Sequence, residues 1–170
     1  GMRFINTSTL LFRVLANVVL AQQTYQTRTA ALGMLPAFCD FLRMPCDANN
    51  PEELVANIQW CEDQFSQRDF SVKRLPTAGI EVLLAEHQQG DDLPTVLFYV
   101  QVDGQPVDAN KWANGAPYTP MLGKPTADGY AFLEELPEDF SKVDSSYRIF
   151  SRATSDAKGP IAMFLAAWDH

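Results

Sequence analysis

Two short polar stretches of this sequence contain the side chains best suited to chemistry. In the first, Gln101 and Asp103 stand at the end of an apolar run, and Asp108 follows shortly after them. Ligands of open α/β sheets bind beyond the carboxyl ends of the strands, so polar side chains at such a place are candidates for a binding site. The alternative is that Asp103 and Asp108 only cap the turn that follows the run.

The second stretch is Ser155-Asp-Ala-Lys-Gly-Pro160, which joins a predicted strand to a predicted helix. Asp156 could offer its carboxylate to a metal ion, or Ser155 or Asp156 could cap the helix N-terminus. The two roles are compatible with each other, and Lys158 would place a positive charge near the carboxylate in either case. The residues leave metal binding and capping open at this position.

Two helices are predicted in the first part of the chain. Apolar residues at helical spacing predict a core-facing helix over 30–44, ended by Pro45: Leu32, Leu35, Phe38, Phe41 and Leu42. The second helix begins at Asn50-Pro51-Glu52-Glu53, with an N-cap candidate, a proline at the first helical position and acidic residues at the positive end of the helix dipole. Its apolar stripe consists of Leu54, Ile58, Cys61 and Phe65.

After these helices the apolar pattern becomes extended. Residues 70–75 alternate apolar with polar side chains, 80–85 is rich in β-formers, and 95–102 is a nearly unbroken apolar run of the kind a central strand carries. A fourth strand is predicted over 147–152, followed by a helical stripe of Ile161, Phe164, Leu165 and Trp168. The sequence therefore predicts an α/β fold with helices packed on a mixed β-sheet.

A long loop is predicted between Val107 and Ser146, because prolines and glycines recur throughout it. Phe132, Leu133 and Leu136 could form a short helical turn within this loop. Loops of this length inside a compact domain are often functional.

Both polar stretches also resemble motifs of the M20 metallopeptidases. The run from Pro94 to Trp112 is similar to the segment in which a strand of that family delivers His-x-Asp, followed by Gln-Pro-Val and a tryptophan. The run Arg152-Ala-Thr-Ser-Asp-Ala-Lys-Gly-Pro160 resembles the family's Arg-Gly-x-x-Asp-Asp-Lys-Gly-Pro. The resemblance implies a partial zinc-peptidase catalytic domain of dipeptidase or carboxypeptidase type over residues 30–170, preceded by an N-terminal segment, 1–29.

The resemblance also implies roles for single residues. In the family the histidine and the first aspartate of Asp-Asp bind zinc, the aspartate bridging two ions, and the Asp of His-x-Asp supports the metal centre. Asp156 therefore corresponds to the bridging ligand and Asp103 to the supporting, catalytic aspartate. Gln101 stands in place of the histidine and Ala157 in place of the second aspartate. Since an amide oxygen is a weak donor for Zn²⁺, the expected zinc would bind weakly or not at all.

The family's general base and remaining ligands have no counterpart in this sequence. Glu134-Glu135 precedes the Asp156 motif and so stands in the wrong order, while His87 and His170 match no ligand position. The expectation is a hydrolase by descent, truncated and inactive alone, with a peptide or dipeptide as substrate if it is active. The alternatives are a peptide-binding module that has lost its metal, or a self-associating homo-oligomer.

Composition narrows the possible partners and leaves the compartment open. With 13 basic and 21 acidic residues the net charge is −8, which argues against a nucleic-acid partner. No apolar run is long enough for a membrane span. Cys39, Cys46 and Cys61 are predicted to be buried free thiols. Residues 2–21 fit either a signal peptide of an exported protein or a helix with one apolar face, so a secreted, periplasmic or cytoplasmic location is equally open.

Overall fold

The computed structural model describes residues 7–112 and 116–170, with side chains from Leu20 onward. Its three helices are α1 (Thr7–Leu42), α2 (Pro51–Ser66) and α3 (Lys158–Trp168). Its first sheet is an antiparallel pair, β1 (Ser71–Leu75) with β2 (Val82–Glu86). In the second sheet β3 (Met121–Thr126) lies between β4 (Gly129–Phe132) and β5 (Arg148–Phe150), again antiparallel. The coarse α/β prediction is confirmed.

Helix α1 is much longer than the predicted helix over 30–44, and it crosses the boundary expected between residues 29 and 30 without a break. It ends at Leu42, close to the predicted stop at Pro45. The choice between a signal peptide and an apolar helix face depends on side chains before Leu20, which lie outside the described part. No helix of the described residues is both long and apolar enough to cross a membrane.

The main core lies where the C-terminal part of α1 packs against α2 and α3. Its fully buried members come from all three helices: Met34, Phe38, Phe41, Leu42, Cys61, Ile161, Ala162 and Leu165. Phe41 stacks on Trp60 with ring centroids 3.9 Å apart and planes 4° from parallel. Helical spacing in the sequence therefore identified the faces of α1 and α3 that form this core.

Helix α2 begins as predicted, although its cap works differently. Asn50 occupies the N-cap position and Pro51 the first turn, but the Asn50 side chain makes no hydrogen bond to the helix backbone. Instead, the Glu53 carboxylate accepts from Asp47 N at 2.8 Å and from Asn50 Nδ2 at 2.9 Å. An acidic residue of the first turn thus fixes the chain that enters the helix.

The predicted central strand over 95–102 is wrong, and with it the mixed sheet. These residues form no strand, and the side chains from Val96 to Val100 are exposed. No backbone group of this segment has a hydrogen-bond partner among the described residues. An apolar run becomes a central strand only if strands lie on both sides of it, and here the described strands pair in two separate antiparallel sheets.

The long loop predicted over 107–146 is also wrong, because it contains β3 and β4. Phe132 is the last residue of β4 and does not belong to a helical turn. Pro125 had marked this region as loop, but it pairs with Tyr130 of β4 at a point that β5 does not reach. Since β3 has a free edge there, the missing N–H of proline costs no ladder hydrogen bond.

Candidate functional site

The two polar stretches meet in the structure. Both Nε and Nη2 of Arg152 donate to the backbone oxygen of Gln105, at 3.1 and 2.7 Å. Gly104 packs so closely on Ala153 that a Cβ added to the glycine would lie 3.9 Å from the Ala153 Cβ. The loops that carry Asp103 and Asp156 are therefore neighbours at one end of the helical core.

A third segment, just after α1, completes this contact. Gly104 N donates to Cys46 O at 2.6 Å and Gly104 O accepts from Ala48 N at 2.9 Å. A Cβ on Gly104 would lie only 2.9 Å from Cys46 Sγ, so a larger residue would force the segments apart. We call residues 46–48, 104–105 and 152–153 together the motif junction.

The loop from Ser151 to Gly159 is held in a compact conformation by hydrogen bonds between its own residues. Ala153 has φ +62°, in the left-handed region, where the resembled motif has glycine. Ala153 O accepts from Lys158 N at 3.1 Å, and Thr154 Oγ1 donates to Ser151 O at 2.8 Å. A Cβ on Gly159 would come within 2.3 Å of Thr154 O, so this position requires glycine. The loop thus holds Asp156 in one place at the start of α3.

A cleft of about 340 Å³ runs along this loop. Its walls include Trp112, Phe150, Arg152, Thr154, Ser155 and Asp156. Ser155 and Asp156 are exposed, and the Asp156–Ala157 peptide bond is cis. A larger hollow of about 430 Å³ lies along the exposed side of α1 between Leu20 and Ala31, but it contains no residue of either motif. The smaller cleft is therefore the better candidate for a site.

Neither capping prediction for the second motif is correct. The residue at the N-cap of α3 is Ala157, and no side chain caps this helix. The Asp108 carboxylate accepts from Asn110 N at 3.0 Å and so caps the short 3-10 helix Ala109–Lys111, which lies beyond the turn around Gly104 and Pro106 that it was expected to cap. Asp156 is thus free of the cap role and faces the cleft.

The sequence suggested that Lys158 would place its charge near the Asp156 carboxylate, but the structure directs its side chain into the core. It is fully buried, and its Nζ donates to Phe41 O and Met44 O, both at 2.6 Å, while lying 4.5 Å from the centre of the Phe41 ring. Burial lowers its pKa from 10.5 to about 8. Lys158 therefore satisfies the backbone carbonyls at the end of α1, a role that no spacing in the sequence reveals.

The donors expected at this site are one amide and two carboxylates that differ in exposure. Gln101 is exposed, Asp103 is half-buried at the motif junction, and Asp156 is exposed in the cleft. Among residues 7–112 and 116–170, no three His, Cys, Asp or Glu side chains are grouped to hold a metal ion. A catalytic zinc site is held by three protein ligands, mostly imidazole and carboxylate, and leaves one position open for water.

The cysteines do not supply a nucleophile either. All three are buried and free, as predicted. Burial raises the pKa of Cys39 to about 11 and of Cys61 to about 12. Burial also raises the pKa of the Cys46 thiol, and the charges of Lys158 and Arg152 offset only part of the rise. Thiols in this state are protonated at neutral pH and react slowly.

Comparison with known proteins gives no assignment. No protein-family model, no curated protein and no solved structure matches this chain. The function therefore has to be inferred from the cleft, the motif junction and the two polar stretches.

Proposed function

We propose that this chain is an M20-like metallopeptidase by descent that does not hydrolyse peptides on its own. The main support is the contact between the two motif loops through Arg152 and Gln105 O. The second motif follows the resembled order, with β5 before its polar loop and α3 after it. The first motif has no strand before it, but its Gly104 contacts Ala153, so Asp103 and Asp156 belong to neighbouring loops.

The lack of independent activity follows from the donor set. Hydrolysis by zinc needs several protein ligands, a polarised water and a base within hydrogen-bond reach of that water. Gln101 and Ala157 offer an amide and a methyl group where an imidazole and a carboxylate would be needed. In the part of the chain that the structure describes, no three His, Cys, Asp or Glu side chains are grouped around a possible metal position.

A direct test combines zinc titration with a panel of dipeptides. We expect no turnover by the wild-type chain, and a gain in zinc affinity of about tenfold or more when Gln101→His and Ala157→Asp restore two donors. Stoichiometric zinc with turnover that is lost in Asp156→Ala would contradict the proposal. Asp128→Ala, which removes an exposed carboxylate from the β3–β4 turn, is the matched control.

A second candidate function is peptide binding without catalysis. It is favoured by the composition of the cleft, in which aromatic walls from Trp112 and Phe150 flank the exposed carboxylate of Asp156. Arg152, the cleft's cation, is already bonded to Gln105 O. Such a surface suits the free amino group of a short peptide, since the carboxylate attracts the ammonium and the rings cover apolar side chains.

Thermal stabilisation in the presence of a chelator tests this second function. Apolar dipeptides with a free amino group should raise the melting temperature of the chain, and the same peptides with an acetylated amine should not. Asp156→Asn should remove the difference, whereas Asp128→Asn should preserve it. Equal shifts with both forms of the peptide would exclude recognition of the amine by Asp156.

A further inference from the structure

The segment 95–102, called here the apolar segment, carries a continuous run of exposed apolar side chains. It contains no charged residue, although the chain as a whole has a net charge of −8. Leu97 and Tyr99 are each 81% exposed, while Phe98 is 64% and Val100 41% exposed. Val96 is also 69% exposed, so most of the side-chain surface of this run faces solvent, with Leu97 and Tyr99 the most exposed.

Contacts on the inner side fix how the apolar segment lies. The ring of Phe98 meets that of Phe164 on α3 at 5.0 Å, and Val102 packs against the main core. At its end, Gly104 is bonded to Cys46 and Ala48 in the motif junction. The apolar segment therefore contacts the core through Phe98 and Val102 and is anchored at its end by Gly104, while most of its side-chain surface stays open.

Its backbone is also without hydrogen-bond partners among the described residues. Extended backbone with free N–H and C=O groups and β-forming side chains is a template for adding another strand. The five side chains from Val96 to Val100, 41–81% exposed, present roughly 700 Å² to solvent. A standard interface buries about 800 Å² on each partner, so this patch nearly suffices for a stable dimer.

We propose that a second copy of this chain covers the apolar segment by antiparallel β-pairing. The run Val96-Leu-Phe-Tyr-Val100 is apolar at every position, and a two-fold axis through Phe98 would place Leu97 of each copy opposite Tyr99 of the other on one face of the paired strands. Both copies satisfy their backbone groups along the same edge in this arrangement. The inference is independent of any metal chemistry at the cleft.

Charge distinguishes a second copy from a foreign partner. Asp91, Asp92 and Asp103 flank the apolar segment, and each copy is negatively charged overall. Two copies therefore repel at long range, and salt should screen that repulsion and strengthen the dimer. A cationic peptide on the same surface would bind more weakly as salt rises.

Sedimentation equilibrium from low micromolar to near millimolar concentration, at low and high salt, tests the proposal. We expect a reversible dimer that is several-fold tighter at high salt, and protection of the 95–102 amides from hydrogen exchange that grows with concentration. Leu97→Lys should weaken the dimer about tenfold or more. Val55→Lys, at an exposed apolar position on α2, is the control and should leave it unchanged.

A second variant separates pairing from apolar contact. Tyr99→Pro removes one backbone donor and should abolish the dimer while circular dichroism of the helices stays the same. The proposal is overturned by a monomer at every concentration, by a dimer as tight in Leu97→Lys as in the wild type, or by amide protection that is independent of concentration. The last result would identify a partner for the segment within the same chain.

Discussion

The motif junction and the apolar segment adjoin each other in sequence but differ in how they are held. At the junction, Gly104 and Arg152 are fixed by short backbone and side-chain hydrogen bonds to two other parts of the chain. The apolar segment, immediately before it, has only side-chain contacts on one side. Hydrophobicity alone therefore does not bury a segment, because its backbone also needs partners.

Buried and exposed phenylalanines give the strongest test of this difference. Phe41→Ala removes a fully buried ring that stacks on Trp60, so it should lower the free energy of unfolding by about 4 kcal/mol. Phe98→Ala, on the apolar segment, should cost less than about 1 kcal/mol. Urea denaturation at low protein concentration measures both. Equal losses would show that the apolar segment is packed as firmly as the core.

Next in size is the effect of a methyl group on the loop that carries Asp156. Gly159→Ala forces a Cβ against Thr154 O, and we expect a loss of about 3 kcal/mol in the same measurement. Gly33→Ala is the matched control. Its Cβ would meet nothing within 4 Å, and in the interior of α1 it should stabilise by up to about 1 kcal/mol. If Gly159→Ala left the free energy of unfolding unchanged, the loop would have room for a Cβ that its contacts in the structure exclude.

Lys158→Met tests the link between α3 and the end of α1. The substitution leaves Phe41 O and Met44 O without their buried donor, so the free energy of unfolding should fall by about 2 kcal/mol. The control Lys124→Met changes an exposed lysine of β3 and should stay within about 0.5 kcal/mol. An increase in stability would instead mean that the desolvation of the ammonium outweighs its hydrogen bonds.

A smaller effect at moderate pH comes from the protonation of the same lysine. Because burial lowers the pKa of Lys158 from 10.5 to about 8, the unfolded chain holds more protons than the folded chain between these values. The free energy of unfolding should therefore rise with pH, by about 1 kcal/mol between pH 8 and 9, relative to Lys158→Met. Urea titrations of the two proteins across this range measure the difference, and parallel curves would contradict it.

Above pH 9 the buried thiols should reverse this trend. Burial raises the pKa of Cys61 from 9.0 to about 12, so the folded chain keeps a proton that the unfolded chain loses. Stability from this source is complete below pH 9 and is lost as the pH rises toward 12. Between pH 9 and 12 the free energy of unfolding should fall less in Cys61→Ala than in the wild type. The control Lys124→Met should show the same pH dependence as the wild type.

Local signals made parts of the fold predictable from the sequence. The start of α2 was visible because Asn50, Pro51 and Glu52 each favour a helix N-terminus through contacts within one turn. Its stripe of Leu54, Ile58 and Cys61 is buried as its spacing indicated. Exposure also alternates along β1, with Val72 half-buried as expected, although Arg74 is half-buried and Leu75 is exposed.

Pairing between distant segments was not predictable in the same way. The residues 95–102 have the composition of a central strand, yet strand formation depends on neighbours that no local pattern specifies. Pro125 argued against a strand at this position. Yet β3 tolerates the proline, because β5 does not pair with this part of β3 and the edge is free there. At the site, the sequence indicated Asp103 and Asp156, whereas the burial of Lys158 and the approach of Gly104 to Cys46 arise only from the folded chain.

Helix α1 illustrates a further consequence of uneven packing. From Leu20 to Thr29 its side chains are exposed, and Thr24, Thr27 and Thr29 bond back to carbonyls of their own helix at 2.9 Å. Only from Met34 onward does the helix enter the core. Apart from Arg28, whose Nη2 donates to Val143 O at 3.4 Å, the turns from Leu20 to Thr29 are held mainly by their own helical hydrogen bonds. These turns should therefore open more easily than those from Met34 onward.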